Sequence, residues 1–169
     1  VKAQAEAGDS VIFNGSIVAT RHTGRKARRL YITGCKKGHP VFAAFAGARG
    51  APAPAGSEKY AEQVVMVVSC NPDGRADVMA AGWAMQVSDD PPMVAVAIGK
   101  SRFTYGLIKS TGQFIYAYPG TDMEREMLYC GTQTGREVDK FKALDMAKRP
   151  ATKVKPPLLL KALACFECE

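Results

Sequence analysis

The chain is short of the residues that build metal centres and disulfide frameworks. It has two histidines, His22 and His39, with no ligand spacing between them, and five cysteines. An odd cysteine count argues against a secreted, cross-linked scaffold and predicts a reducing, cytoplasmic setting. Cys165 and Cys168 form a C-x-x-C, but the surrounding LLLKALACFECE reads as a strand, where positions three apart point to opposite faces. No second pair completes a zinc site, so no metal is expected and both histidines are assigned to loops. Acidic residues are scarce, 16 against 23 Lys and Arg, leaving a net charge of +7. Much of the excess lies in RHTGRKARRLYITGCKKGHP (21–40), where Tyr31 alone interrupts the cations. That is too little aromatic surface for base stacking; a basic hairpin tip accounts for the segment, and a nucleic-acid partner is not expected. No apolar run approaches the roughly 20 residues of a membrane helix and no leader-like pattern opens the chain, so no membrane partner is expected either.

What is present is a single domain's worth of strand-rich sequence, 169 residues with 47% hydrophobic and 23% charged. Strand patterns cover 10–20, 29–33, 63–70, 76–88, 93–98, 114–118 and 161–169. NPDG at 71–74 is a turn, and the two prolines of DDPP at 89–92 are expected to end strand pairing. Helices are short: Thr121 and Glu124, and again Thr134 and Glu137, have capping-box spacing ahead of EREMLYC and VDKFKALDM. Strands joined by hairpins, with a few short helices, predict a mainly β antiparallel barrel. Residues 43–56 (AAFAGARGAPAPAG) are almost wholly Ala, Gly and Pro and read as a linker.

The most informative stretch is MVAVAIGKSRFT at 93–104. Met93 to Ile98 reads as a strand buried on both sides. Ser101 is a favourable N-cap for the helix pattern that follows, so amide N–H groups would gather beside two hydroxyls, Ser101 and Thr104, and two cations, Lys100 and Arg102. A guanidinium grips a phosphate with paired hydrogen bonds. The chemistry is that of an anion site; an ordinary capped helix with solvated charges fits the same spacing.

Four blocks extend this reading: VVSCNPDGRADVMAAGW (67–83), VSDDPPMVAVAIGKSRFTYGLI (87–108), CGTQTGREVDKF (130–141) and KVKPPLLLKALACFEC (153–168). In this order they resemble the flavin reductase-like family of FMN-binding split barrels, which includes flavoredoxins and ferric reductases. The resemblance implies an antiparallel split β-barrel. The family continues past its counterpart of ALACFECE into a piece that here stands in front, VKAQAEAGDSVIFNGSIVAT (1–20). The chain therefore resembles a circularly permuted member: 1–42 the family's C-terminal part, 43–56 a linker, 57–169 the N-terminal and central part of one domain.

The resemblance also implies a site. Ser101, Arg102 and Thr104 would hold the FMN phosphate, with Lys100 adding only field. The backbone of Met79, Ala80, Ala81, Gly82 and Trp83 would line the flavin ring, although Asp77, Ala80 and Gly82 stand where the family prefers Asn, Thr and Ser. Met79 and Trp83 also read as plain core residues. Thr134, which keeps the family's hydroxyl, Arg136 and Lys140 would approach the flavin, the last two with positive charge, the alternative for Lys140 being a solvated helix face. Cys130 is taken as structural. No catalytic side chain is implied, because the protein binds and orients while the cofactor carries the chemistry. NAD(P)H is the implied hydride donor, flavin or ferric iron the acceptor, and a homodimer the implied assembly. Ser10 replaces a family histidine in Gly8-Asp9-Ser10, which leaves room for an electron carrier without its own NAD(P)H site.

Overall fold

Period-two alternation decides this architecture. The computed structural model of the protein describes residues 3–22, 30–36, 39–44 and 62–169. A hairpin comes first, β1 (Ala3–Ala7) and β2 (Ser10–His22), turning at Gly8 with φ +61° in the left-handed region that glycine tolerates. Then come β3 (Leu30–Lys36), β4 (His39–Ala44) and β5 (Glu62–Gln63), an antiparallel sheet in the order β4-β3-β5. A second hairpin joins β6 (Val65–Cys70) to β7 (Ala76–Ala81). In its turn the Asn71 carboxamide oxygen accepts the Arg75 amide at 2.7 Å, and Gly74 has φ +88°. A third joins β8 (Ala84–Asp89) to β9 (Pro92–Gly99). Next are α1 (Phe103–Thr111), β10 (Phe114–Tyr118), a 3-10 turn at Thr121–Met123, α2 (Glu124–Thr132), α3 (Lys140–Ala143), β11 (Lys148–Arg149), β12 (Leu158–Leu159) and β13 (Ala164–Cys168).

The main sheet runs β7-β6-β10-β13-β2-β9-β8, with β1 also on β2. All its pairings are antiparallel. Its strands feed two cores, one on each face. Met66 and Val68 of β6 pack with Met123, Met127, Phe141 and Leu159 under the helices. Val65 and Val67 pack with Phe13, Val96, Ile98 and Phe114 on the other side. Cys165 belongs to the first cluster and Cys168 to the second, so the C-x-x-C does face both ways. Burial pushes these thiols up to about 11 and about 12, which keeps them protonated and inert. Gly15 is required by close packing: a Cβ there would sit 2.8 Å from the Phe114 ring.

β2 is long because it serves partners on both edges. One edge pairs Ser10–Ser16 with β9. The other pairs Ser10 to Asn14 with β1 and Ile17 to His22 with β13, so β13 and β1 lie end to end on one flank. Between them, Glu169 and Ser16 exchange backbone hydrogen bonds of 2.9 and 3.1 Å.

Several expectations from the sequence are corrected. The 76–88 run is two strands, broken where the Trp83 carbonyl turns to accept the Ala97 amide at 2.9 Å. DDPP does not end pairing: Asp89 pairs with Pro92 across a tight turn, and Pro92 opens β9, a position that tolerates a missing N–H. β9 is buried on one face only, through Val94, Val96 and Ile98, while its alanines face outward. His22 and His39 end and begin strands rather than lying in loops. Ala43 and Ala44 belong to β4, not to a linker. Residues 45–56 lie outside the described residues, as do 23–29 and 37–38, which carry most of the basic tip. Among the described residues no helix is long and apolar enough to cross a membrane.

Candidate functional site

β9 delivers the chain to a corner. The Gly99 carbonyl accepts the Arg102 amide at 2.9 Å, and the Asp9 carbonyl of the β1–β2 turn accepts the Lys100 amide at 2.9 Å. This turn takes one residue more than expected, so Arg102, not Ser101, is the N-cap of α1. Among the described residues no side chain caps the helix, and its first turn contains no acid, which leaves the positive end of α1 open to an anion. The Lys100 ammonium turns to Glu6 at 2.8 Å and holds that carboxyl below its usual range, away from the corner.

Beside the corner is a cavity of about 320 Å³, bounded by β7, the start of α1 and the stretch from the end of α2 to α3. Eight of the eleven residues singled out by the sequence line it: Met79, Ala80, Ser101, Arg102, Thr104, Thr134, Arg136 and Lys140. The other three do not. Ala81 packs into the core, and Gly82 and Trp83 border a separate shallow trough with Met85 and Ala95. Trp83 is 63% exposed, so it is not a core residue.

The floor of the cavity is a buried ion pair. Lys140 is 3% exposed; its Nζ lies 3.2 Å from Asp77 Oδ1 and donates to the Val78 carbonyl at 2.7 Å. The solvated reading of Lys140 is therefore corrected: its ammonium is buried against Asp77 at the floor of the same cavity. Thr104 Oγ1 donates to the same carboxylate at 3.4 Å. Gly135 lies so close that any Cβ there would collide with the Asp77 carboxylate. Cys130 also lines the cavity, and burial pushes its thiol up to about 12, in keeping with a structural role.

The rim is cationic and solvent-facing. Arg136 Nη1 donates to the Ser101 carbonyl at 3.0 Å. Arg75 Nη2 donates to the Gly135 carbonyl at 2.8 Å. Both guanidinium carbons stand over the Phe103 ring, 5.5 Å (Arg75) and 5.6 Å (Arg136) from its centroid. Arg102 completes the rim. Sequence reasoning missed Arg75 and Phe103, and noted Asp77 only as a departure. Local spacing carries no signal for pairs 60 and 63 residues apart. The capping boxes do not form either: α2 has no side-chain cap, and Asp139 caps α3 by accepting the Lys142 amide at 3.2 Å. Thr134 instead stays within the turn, taking the Arg136 amide at 3.4 Å.

Comparison with known proteins places the chain and its fold. An uncharacterized protein of Pyrococcus abyssi is 40% identical over 110 residues, 65% of this chain and 62% of its own length. The chain spans 62% and 53% of the first two curated relatives it matches. Flavoredoxin of Desulfovibrio vulgaris (Miyazaki F) is similar in structure, with a TM-score of 0.58 and 27% identity, covering 64% of this chain and 66% of that one. The FMN-binding protein from Thermus thermophilus, solved with p-hydroxybenzaldehyde, gives 0.59 and 28% identity over 73% and 68% of the two chains. The fold is thus the mainly antiparallel split barrel. Residues 57–169, which contain the whole cavity, match the model of the flavin reductase like domain, and the chain belongs to that family.

Proposed function

We propose that the chain is an FMN-dependent oxidoreductase domain that takes hydride from NAD(P)H and passes electrons to flavin or ferric iron. The observation that carries this is the cavity, where an uncapped helix start, the Ser101 hydroxyl and the Arg102 and Arg136 guanidiniums meet at one end. That donor set suits a phosphate dianion. Thr104 would contribute less than the sequence implied, because its hydroxyl already points to Asp77. At the other end Met79 and Ala80 lie on β7, the last strand of its sheet among the described residues. Apart from the Val78 carbonyl, which Lys140 takes, the outer backbone edge of β7 would face a flat polar ring edge there, with Ala81 and Gly82 continuing that line. When bound, the flavin would supply the redox centre; the protein's part is to bind, orient and set the local field.

The electron-carrier reading has one observation in its favour. Ser10 is buried at 6% exposure and its hydroxyl donates to Asp9 Oδ1 at 3.0 Å, so this turn offers no imidazole at the corner. The homodimer is supported by Trp83, Met85 and Val87, exposed at alternate positions along β8 and its entry. The permuted order is supported by β13 and β1 lying end to end against β2.

Purified protein mixed with FMN is expected to turn yellow and retain the flavin. Arg102→Ala should weaken FMN by about 1.5–3 kcal/mol, the scale of a charge-assisted hydrogen bond, in a fluorescence titration. No uptake of FMN would overturn the proposal. Anaerobic NADH or NADPH should bleach the bound flavin within seconds; absence of bleaching selects the carrier.

A further inference from the structure

We infer that Arg75, on the β6–β7 turn, is a positioning residue that holds the 134–137 turn, and with it Arg136, in place over the anion end of the cavity. The inference rests on the FMN reading of that site for its functional consequence, though the latch itself does not. Arg75 reaches across Phe103 to the Gly135 carbonyl at 2.8 Å. Gly135 is the residue whose backbone is pressed onto Asp77, and Arg136 follows it directly. Arg136 then crosses the same ring from its own side to the Ser101 carbonyl at 3.0 Å. One aromatic ring thus carries two guanidiniums, each tied to a carbonyl on a different segment of the rim. Beyond these contacts and the packing of Gly135 on Asp77, the hydrogen bonds of the turn among the described residues are internal. Its own bonds are the Glu137 and Val138 amides to the Thr134 carbonyl, both 3.2 Å, and the weak Arg136 amide contact to Thr134 Oγ1. Arg75 is absent from the cavity lining, so it acts on a ligand through Arg136. An exposed guanidinium held by a second group pays less ordering entropy on gripping an anion, which is where the gain in affinity arises.

The test is a double-mutant cycle read with two ligands. FMN and riboflavin affinities are measured by flavin fluorescence for wild type, R75A, R136A and R75A/R136A, with R75K as the conservative variant. R75A should weaken FMN about tenfold while leaving riboflavin, which lacks the phosphate, unchanged. In the R136A background the same change should have no further effect on FMN. R75K, which can still donate to Gly135, should recover part of the loss. An undiminished FMN affinity in R75A, an equal loss for riboflavin, or a full additional loss in the R136A background would each overturn the inference. Hydrogen exchange of ligand-free protein separates this from the FMN reading. In R75A the Glu137 and Val138 amides should exchange faster than in wild type, and unchanged exchange overturns the latch. Failure of wild type to bind FMN overturns the functional reading alone, and the exchange result then decides on the latch.

Discussion

The protein buries two carboxylates and satisfies them in opposite ways. Asp77, 4% exposed at the cavity floor, is matched by a full counter-charge, the Lys140 ammonium at 3.2 Å. Glu167 of β13, 0% exposed, has no cation in that role among the described residues. It accepts the Thr152 amide at 2.9 Å, the Thr152 hydroxyl at 2.9 Å and the Lys153 amide at 2.6 Å. Burial pushes the Glu167 carboxyl up, but those backbone N–H groups and the hydroxyl outweigh it, and it settles below its ordinary 4.5. The floor of the site relies on an ion pair between distant segments; the scaffold relies on dipoles from a single loop. The difference teaches where each can be changed. A nest of amides pins one loop to one strand, whereas the pair joins β7 to α3 and leaves the cavity's positive charge to the arginines at the rim.

Breaking the pair should have the largest effect. Lys140→Met leaves Asp77 buried without its counter-ion and should lower stability by about 3–5 kcal/mol in urea unfolding. Lys140→Met with Asp77→Asn should recover much of that loss; if the double variant is as unstable as the single, the contrast between the two carboxylates collapses. Next comes Glu167→Gln, which turns an NH2 toward amide donors and should cost about 1.5–3 kcal/mol. Its pH signature sharpens the comparison. A carboxyl with a lowered folded value contributes stability that is fully present above 4.5 and is lost as pH falls through that lower value. Acid titration of unfolding should therefore be flatter in Glu167→Gln than in wild type. The smallest change is Gly135→Ala, whose Cβ meets the Asp77 carboxylate. Overpacking of this kind should cost about 1–3 kcal/mol and loosen FMN at the same time.

Much of this was legible in the chain, and the rest was not for definite reasons. β10 falls on residues 114–118 as expected, because an apolar run between turn signals has one reading. The strand-to-helix corner at Gly99 to Phe103 was legible in kind, but its cap slipped by one residue since the Gly99–Arg102 turn is set by tertiary contact with Asp9. Eight site residues converge because they sit on segments the motif blocks already name. Arg75, Phe103 and the fate of Lys140 were hidden, because each depends on a partner about 30 to 60 residues away that no periodicity announces. Trp83 was misplaced in one of its readings because exposure, unlike hydrophobicity, is decided by what the neighbouring strand leaves uncovered.

Glu169 opposite Ser16 and Ala3 opposite Asn14 leave only Gly15 between two strands that share a flank. β2 therefore acts as a splint across the joint between β13 and β1, aligning both through its hydrogen bonds. A one-residue slip of β2 would turn Val11 and Phe13 out of the core and drag the Asp9 carbonyl from the Lys100 amide. Register at the joint and geometry at the anion corner are set by the same strand.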